Sequence, residues 1–426
     1  MRVLVLGAAV SGRAALRLLE REGHQVVVHD VDADAVTDLA DGRTAVGGAW
    51  DPALLEGVDL VVPSPGIPEH AAPIRDALAA GRPVVSELEL ASARLTIPIA
   101  AVTATNDKTT VTGLAAGMLA SSGVKAAAVG NIGEPLSDAV GAGWERLVVE
   151  ASSFQLRFID GFHPRAAVLL NVAPDHLDWH GTFAAYRDAK ARIHENQTSD
   201  DVLVFDEDDE GARAAVAGAA SRLLPVSGTR RAAGGGPAGG KLWIRDVAVD
   251  LGSLATTDPA FLVDLAAAGV IAGELGASAD AIAGTAAGFV PGRHRREVVG
   301  SWDGVAWIDD SKATNPHAAL AAVRAYPSVV LIAGGRNKGL EVAPIAAEPS
   351  IRFVITLGEE GPAIQEAARE GVAVADMAEA VTVADEVAGP GDTVLLAPGC
   401  ASFDMYDSYG ERGDHFAALV RKRKGS

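Results

Sequence analysis

A lysine followed by two threonines stands in a short polar loop, and this combination is typical of sites that bind phosphate. The segment Ala101–Thr110 reads AVTATNDKTT, between an apolar run, Ile97–Val102, and a helical pattern, Val111–Ala120. In such loops the backbone N–H groups and the helix N-terminus hold the phosphates, lysine contacts the β- and γ-phosphates, and the hydroxyl binds Mg²⁺. The segment therefore predicts a nucleotide site; the simpler interpretation is a polar turn with a chance Lys-Thr pair.

The loop departs from the general phosphate-binding pattern at both glycine positions. In G-x-x-x-x-G-K-[ST], Val102 stands at the first glycine and Asp107 at the second. Glycine is used there because the backbone must approach phosphate closely and can need a positive φ. Aspartate also adopts the left-handed region, but its charge opposes one phosphate charge by roughly 3 kcal/mol at ~5 Å and an effective dielectric of about 20. We therefore expect Asp107 to weaken nucleotide binding.

Acidic and imidazole side chains follow other predicted strands of the same central segment. Glu150 ends one strand, and Asp175, His176 and Asp178 follow the next. Because the carboxyl ends of parallel strands share one edge of a sheet, these groups are predicted to converge with Lys108 on a Mg²⁺–phosphate centre. Any one of them alone would more often be structural.

The chain begins with a predicted βαβ unit. Its strands are Val3–Leu6 and His24–His29, and the glycine turn Gly7–Gly12 follows the first strand. A helix N-terminus after such a turn can receive a diphosphate, but Ala9 replaces the middle glycine of the dinucleotide fingerprint. Any phosphate-bearing ligand therefore fits as well as NAD. Ser64–Ile67 is either a ligand-contacting turn at a strand end or a plain tight turn.

A further parallel α/β unit is predicted after Pro291. Its strands are Val305–Ile308, Val329–Ala333, Phe353–Thr356 and Thr393–Ala397. Three polar segments follow three of these strands: Asp309–Asn315, Gly334–Gly339 and Pro398–Asp404. Their lysines could hold carboxylate or phosphate, and their hydroxyls could orient an amino acid.

Composition limits the possible classes of protein. The 426 residues suffice for two to four domains, and the net charge of −20 argues against nucleic acid or an anionic membrane as a partner. The single Cys400, together with a start that lacks a signal-peptide pattern, predicts a cytoplasmic protein. Asp206–Glu210 is interpreted as a solvated acidic turn, the glycines of Gly234–Gly240 as a hairpin tip, and Arg421–Lys424 as a basic helix end.

Taken together, the motifs resemble those of the Mur ligases over nearly the whole chain. The matching segments, in the family's order and spacing, are SPGI, GNIGEPL, EASSFQL, NVAPDHLDWH, YRDAK, GRHRREVV, WIDDSKATN, GGRNKG and PGCASFDMYDSYGERG. The resemblance implies an α/β protein of three domains. These are a Rossmann-like UDP-binding domain at residues 1–95, a central P-loop-type ATPase domain at 96–291, and a Rossmann-like, amino-acid-binding domain at 292–426.

The resemblance also implies an activity, the ATP-dependent, ADP-forming synthesis of an amide in peptidoglycan precursor synthesis. The carboxylate of UDP-N-acetylmuramoyl-L-alanine would take the γ-phosphate of ATP, and the amino group of D-glutamate would displace phosphate from the acyl phosphate. Two Mg²⁺ ions suit such a transfer. Two alternatives stay open: a homologue that binds nucleotide weakly and holds the UDP-sugar without turnover, and a ligase that uses L-glutamate.

The same resemblance assigns roles to individual residues. The implied catalytic residues are Lys108, Glu150, His176 and Lys190. The implied nucleotide contacts are Asn106, Asp107, Lys108, Thr109, Thr110, Arg295, Asp310 and Lys312. Contacts to the UDP end are assigned to Val10, Ser11, Asp30 and Ser64, to the sugar to Asn131, and to glutamate to Thr314, Lys338, Ser402 and Phe403. The implied Mg²⁺ ligands are Thr109, Glu150, His176 and Lys190, the last as a carbamate because a free ammonium would repel the metal.

The chain departs from the family at three places. Ala104 and Asp107 replace the glycines of the family's G-T-N-G-K loop, and Pro259–Val263 reads PAFLV where the family has H-N-x-x-N near the adenine. Phe403 and Tyr409 replace the more usual Leu and Phe. The first two departures concern ATP, and the third predicts a slightly altered amino-acid pocket.

Overall fold

A computed structural model describes residues 1–39, 44–337 and 339–425 of the chain. These residues form two compact units. The first comprises Met1–Ala173 and Trp179–Gly288, and the second comprises Pro174–Asp178 and Phe289–Ser426. Three sheets occur in the described ranges, two in the first unit and one in the second.

The first sheet is entirely parallel, with strand order β3-β2-β1-β4, as in half of a Rossmann fold. Its strands are β1 (Arg2–Leu6), β2 (Gln25–Asp30), β3 (Thr44–Gly47) and β4 (Leu60–Pro63). Its helices are α1 (Val10–Arg21), α2 (Ala72–Ala79) and α3 (Glu87–Ser92). The predicted βαβ unit is confirmed, except that α1 already begins at Val10, so Ser11 and Gly12 belong to the helix and not to the turn.

The second sheet has nine strands in the order β13-β12-β11-β10-β9-β8-β5-β7-β6. They are β5 (Ile99–Thr103), β6 (Ala126–Gly130), β7 (Arg146–Glu150), β8 (Ala166–Leu169), β9 (Val202–Asp206), β10 (Arg222–Val226), β11 (Gly235–Ala238), β12 (Lys241–Ile244) and β13 (Val247–Asp250). The helices are α4 (Lys108–Ser121), α5 (Leu136–Ala139), α6 (Ser153–Arg157), α7 (Leu177–His180), α8 (Phe183–Ala191), α9 (Glu210–Ala215), α10 (Pro259–Glu274) and α11 (Ala279–Ala287).

Strand β5 lies between β7 and β8 in this sheet and is buried along its whole length. Helices cover both faces of a parallel sheet, which is why its central strands read as continuous apolar runs and are recognisable in the sequence. The helix that follows, α4, begins at Lys108, three residues before the predicted start at Val111. The carboxyl end of β5 therefore carries the predicted nucleotide loop.

Two local predictions in this sheet need correction. Gly235 and Gly236 belong to strand β11, so only Gly239 and Gly240, with φ of 59° and 74°, form the hairpin tip. Asp206 is not part of a solvated turn but ends strand β9, where burial raises the pKa of its carboxyl to about 7.

The third sheet has the order β14-β15-β19-β16-β17-β18 and is parallel except for the β14–β15 pair. Its strands are β14 (Glu297–Trp302), β15 (Val305–Asp309), β16 (Val329–Gly334), β17 (Ile351–Leu357), β18 (Gly371–Ala373) and β19 (Thr393–Leu396). The helices are α12 (Pro316–Arg324), α13 (Ala343–Ala346), α14 (Gly361–Ala367), α15 (Met377–Val387) and α16 (Tyr409–Lys424). The four predicted strands form its centre, and the basic run ends α16 as predicted.

The predicted α/β fold class is confirmed, with three parts that each contain a mainly parallel sheet and its helices. The domain boundaries after residues 95 and 291 stay a prediction. Within the part of the chain that the structure describes, no helix combines the length and the apolar character needed to cross a bilayer.

Candidate active site

Asp107 adopts the backbone conformation for which glycine is normally used. Its φ of 73° and ψ of 3° lie in the left-handed region, and it is the N-cap of α4, although its side chain makes no capping hydrogen bond. For a residue with a Cβ this conformation costs about 1 kcal/mol. The loop thus keeps the shape of a phosphate-binding turn, with the N–H groups of α4 at its end, without the glycine that the pattern requires.

Hydrogen bonds from the segment after strand β8 and from helix α8 hold the same loop in place. The N–H of Thr105 donates to the carbonyl of Asn171 at 2.9 Å, and that of Asn106 donates to the Asn171 side-chain oxygen at 2.8 Å. The hydroxyls of Thr105 and Tyr186 are 3.0 Å apart. Thr105, Asn171 and Tyr186 were not among the residues predicted for the site. One available signal was that Tyr186 precedes Lys190 by one helical turn and therefore shares its face.

Two lysines donate to one backbone oxygen beside the loop. The Lys108 ammonium is 2.9 Å from the carbonyl oxygen of Ala104, and the Lys190 ammonium is 2.6 Å from the same atom. Lys190 is 1% exposed and lies over the Tyr186 ring, 4.7 Å from its centroid. Because both ammonium nitrogens donate to the same oxygen atom, they must lie close to each other. The result is a local concentration of positive charge suited to an anion.

Glu150 lies at the end of β7 and is buried. One of its carboxylate oxygens accepts the hydroxyl hydrogen of Thr109 at 2.8 Å, and the other accepts a hydrogen bond from the Asn131 side chain at 2.8 Å. Neighbouring oxygens around an octahedral Mg²⁺ with bonds of 2.0–2.1 Å are about 2.9 Å apart. The Thr109 and Glu150 oxygens therefore have the chemistry and the spacing to bind one such ion.

Four residues are predicted to contact the UDP end. Asp30 ends β2 and Ser64 directly follows β4, whereas Val10 and Ser11 are the first residues of α1. The Asp30 carboxylate accepts the N–H of Ala8 at 2.7 Å. The Ser64 hydroxyl donates to the carbonyl of Gly7 at 3.4 Å, so the β4 turn contacts the β1 turn directly. Val10 is 67% exposed and presents an apolar surface beside these polar groups.

In the second unit, Arg295 lies in a strained turn. It stands between His294 and Arg296, whose φ angles of 59° and 49° are both left-handed. The carboxylate of Asp310 accepts the N–H of Arg296 at 3.2 Å, and the N–H of Lys312 donates to the His294 carbonyl at 3.1 Å. These bonds bring together the three residues predicted to contact nucleotide from the C-terminal part: Arg295, Asp310 and Lys312.

The described residues among those predicted for glutamate lie on neighbouring loops of the same unit. Thr314 follows β15, while Ser402 and Phe403 follow β19, the strand paired with β15. Ser402 is buried, whereas Phe403 is 63% exposed. Lys338 lies outside the described residues.

His176 belongs to the second unit, whereas Lys108, Glu150 and Lys190 belong to the first. Its N–H donates to the carboxylate of Asp175 at 2.8 Å. Its role as a metal ligand stays a prediction.

A His–Asp pair that was not predicted from the sequence joins the segment just before β14 to the end of β15. The His294 ring nitrogen Nδ1 is 2.7 Å from an Asp309 carboxylate oxygen, and Glu297 is close enough to complete a cluster of possible metal ligands. Burial raises the pKa of the Asp309 carboxyl. A Cβ on Gly413 would lie 2.3 Å from that nitrogen, so the backbone of α16 packs directly against the pair. This packing indicates a structural pair.

The segment that replaces the family's H-N-x-x-N is the first turn of α10. The helix begins at Pro259, and the Asp258 side chain caps it by accepting the N–H of Ala260 at 3.0 Å. Phe261 and Val263 are buried in the protein core. Their apolar side chains therefore stabilise the helix rather than offer amide groups.

Models of three Mur ligase domains match the chain. The MurD-like N-terminal domain matches residues 1–86, the middle domain 102–234 and the glutamate ligase domain 294–400. The UDP-N-acetylmuramoylalanine–D-glutamate ligase of Desulfosudis oleivorans is 40% identical, over 99% of this chain and 96% of its own length. The ligase of the same name from Frankia casuarinae is 41% identical, over 99% and 94% respectively.

Solved structures agree at the level of the fold. A pseudomurein peptide ligase type C from Methanothermus fervidus has a TM-score of 0.62 at 17% identity and covers 99% of both chains. The MurF ligase of Thermotoga maritima, solved in complex with ADP, has a TM-score of 0.59 at 18% identity, over 86% of this chain and 96% of that chain. On the strength of the sequence relatives, the chain belongs to the Mur ligase family and is of its MurD type.

Proposed function

We propose that this protein is the ATP-dependent ligase that joins D-glutamate to UDP-N-acetylmuramoyl-L-alanine in peptidoglycan precursor synthesis. Relatives about as long as this chain carry that activity in their names. The observation that supports it within the molecule is the pair of lysines on the Ala104 carbonyl. Two cations next to a phosphate-type loop are what a transfer between two anions, a carboxylate and ATP, requires.

The reaction proceeds in two steps. A carboxylate oxygen of the alanyl group bonds to the γ-phosphorus of ATP and ADP leaves, which yields an acyl phosphate. The glutamate amino group then attacks the acyl carbon, phosphate leaves, and the amine loses a proton as the amide forms. Negative charge accumulates at the reacting groups in both steps. Cations that the fold already holds in position stabilise this charge, because they need not reorganise during the reaction.

The N–H groups at the start of α4 and the ammonium of Lys108 bind the ATP phosphates in this proposal. Asn106, Asp107 and Thr110 line the same loop, and Arg295, Asp310 and Lys312 contact the nucleotide from the C-terminal part. A Mg²⁺ ion would be held by the Thr109 hydroxyl and the Glu150 carboxylate, whose oxygens are 2.8 Å apart. When bound, Mg²⁺ would neutralise part of the negative charge of the phosphates.

His176 and Lys190 would hold a second Mg²⁺, with Lys190 as a carbamate. The position of the Lys190 nitrogen supports this role, because it is buried and donates to the Ala104 carbonyl that Lys108 also contacts, beside the phosphate loop. Carbamylation joins the amine nitrogen to the carbon of CO₂ with loss of a proton, and it turns a cation into an oxygen ligand.

The substrates are bound by three further groups of residues in this proposal. The UDP end contacts Val10, Ser11, Asp30 and Ser64, and the sugar contacts Asn131. D-glutamate contacts Thr314, Lys338, Ser402 and Phe403. Such an enzyme is needed to build the cell wall, and hence for cell shape and cell division. The proposed location is the cytoplasm, which the single cysteine and the use of ATP support.

A second candidate function is a homologue that binds the UDP-sugar but turns ATP over weakly. The carboxylate of Asp107 at the N-cap of α4 favours it, because negative charge there opposes the nucleotide. One assay separates the two functions: phosphate release with ATP, UDP-N-acetylmuramoyl-L-alanine and either enantiomer of glutamate. Release that needs both the UDP-sugar and D-glutamate supports the ligase. Binding of the UDP-sugar without phosphate release supports the second candidate. Phosphate release with L-glutamate but not with D-glutamate contradicts the proposed substrate.

A further inference from the structure

A buried arginine joins two loops of the second unit. Arg412, in the first turns of α16, is 3% exposed. Its Nε donates to the Ser311 hydroxyl at 2.9 Å, and one terminal nitrogen donates to the Ser311 carbonyl at 2.9 Å. Both terminal nitrogens also donate to the Cys400 carbonyl, each at 3.2 Å. Burial lowers the pKa of Arg412 to about 10, so the guanidinium still carries its charge at neutral pH.

A third loop packs against the same guanidinium. Gly335 has a φ of 130°, and a Cβ there would lie 3.3 Å from an Arg412 nitrogen and 2.3 Å from the Ala401 carbonyl. Arg336 and Ala401 exchange two backbone hydrogen bonds of 2.9 Å. The Ser311 hydroxyl in turn donates to the Tyr409 carbonyl at 2.8 Å, which attaches the arrangement to α16.

The loops that meet at Arg412 carry residues predicted for different substrates. Ser311 stands between Asp310 and Lys312, in a segment we call the nucleotide segment (residues 310–312). Cys400 precedes Ser402 in the glutamate segment (residues 400–403). Hydrogen bonds from a charged guanidinium are stronger than those between neutral groups. Its planar geometry also fixes the positions of the Ser311 and Cys400 carbonyls relative to each other.

We propose that Arg412 is a positioning residue that holds the nucleotide segment and the glutamate segment in one arrangement, so that changes at one affect binding at the other. The inference rests on the proposed function for what the two segments bind. Arg412 donates four hydrogen bonds to the two segments, and a network of this kind is a physical route for coupling.

Steady-state kinetics of Arg412→Lys and Arg412→Met test the inference. Lysine keeps the charge but cannot reach three acceptors, so both variants are expected to raise the KM for D-glutamate and for ATP together, each by about tenfold or more. The KM for the UDP-sugar should change less than about twofold, because its predicted contacts lie in the first unit. Arg352→Gln is the matched control, since Arg352 binds Asp392 and the Val387 carbonyl in the same unit.

Cys400 provides a readout that does not depend on turnover. It is the only cysteine of the chain, it is 1% exposed, and burial raises the pKa of its thiol to about 12. Its reaction with a disulfide reagent is expected to be about tenfold or more faster in Arg412→Met than in the wild type or in Arg352→Gln.

Equal thiol reactivity in Arg412→Met, or a rise in only one of the two KM values, would overturn the inference. Should Arg412→Met fail to fold, Arg412→Lys decides by the same criteria. A wild-type protein that releases no phosphate rejects the proposed function instead, and the thiol measurement then decides alone whether Arg412 holds the glutamate segment.

Discussion

Lys108 of α4 and Lys190 of α8 donate to the same atom, the carbonyl oxygen of Ala104, at 2.9 and 2.6 Å. Two ammonium groups on one carbonyl repel each other, and the repulsion is relieved when an anion lies between or beside them. This arrangement links the phosphate loop to the helix that carries the predicted carbamate, and it leads to the first two predictions.

Replacing Lys190 by alanine is expected to lower kcat for phosphate release by at least about a hundredfold, the scale of losing one preorganised charged group. Lys125→Ala is the control, because Lys125 lies over the Trp144 ring on the same domain and has no predicted role. Full activity of Lys190→Ala would show that the assignment is wrong.

The carbamate itself can be observed. Protein equilibrated with isotopically labelled bicarbonate should show one carbamate carbonyl signal by NMR, and Lys190→Arg should lack that signal. Arginine keeps the positive charge but has no amine to react with CO₂. A signal that persists in Lys190→Arg would place the carbamate elsewhere.

Replacing Asp107 by glycine is expected to tighten Mg-ATP binding by up to roughly a hundredfold, which corresponds to the ~3 kcal/mol of repulsion. It should also raise the free energy of unfolding by about 1 kcal/mol, because glycine adopts the observed φ of 73° without strain. Calorimetric titration and denaturant unfolding measure the two effects.

Asp107→Asn separates charge from strain, since asparagine tolerates the left-handed region and is neutral. If charge dominates, this variant gains most of the affinity but little stability. Equal or weaker ATP binding by Asp107→Gly would mean that the loop has adapted to its aspartate.

Replacing Glu150 by glutamine should lower kcat about a hundredfold and raise the Mg²⁺ concentration needed for half-maximal activity. Both carboxylate oxygens accept hydrogen bonds, from the Thr109 hydroxyl and the Asn131 amide, so the new NH₂ group must face one of these donors. The change thus removes a negative charge and one acceptor together. Activity titrated against Mg²⁺ measures the shift, and an unchanged Mg²⁺ requirement would contradict the ligand role.

The stability of the protein should depend on pH through Asp206. Burial, with the charges of neighbouring acidic groups, raises the pKa of this carboxyl from 3.8 to about 7. The native state therefore keeps a proton that the unfolded state releases, so the contribution to the free energy of unfolding is complete below about pH 4 and is lost as pH rises through about 7.

Asp206→Asn should consequently be more stable than the wild type at pH 8, by at most about 4 kcal/mol, with little difference near pH 4. Asp208→Asn is the control of opposite sign. Burial acts to raise the pKa of the Asp208 carboxyl, but hydrogen bonds from Ser227 and Arg230 lower this pKa overall. Asp208→Asn should therefore lose stability at pH 8. Urea unfolding at both pH values measures these differences, and equal stability of Asp206→Asn and wild type at pH 8 would refute the prediction.

The sequence by itself determined the fold class, most elements and the polar residues at the strand ends. Buried strands such as Ile99–Thr103 are visible because a parallel sheet covered on both faces needs continuous apolar runs. Polar residues at the ends of such strands, Lys108 and Glu150 among them, were predicted to share an edge of the sheet. The pairing of β5 with β7 places Glu150 against Thr109, the residue next to Lys108. Local pattern sufficed here because strand direction and burial are local properties.

Only the tertiary structure decided how the loops are held. The left-handed conformation of Asp107, the shared acceptor of Lys108 and Lys190, and the three segments around Arg412 all depend on contacts between residues distant in the sequence. Local propensity does not predict them: aspartate adopts a positive φ in only a minority of cases, and arginine usually lies at the surface. The free energy that reverses both preferences comes from hydrogen bonds and packing that form only when the whole unit has folded.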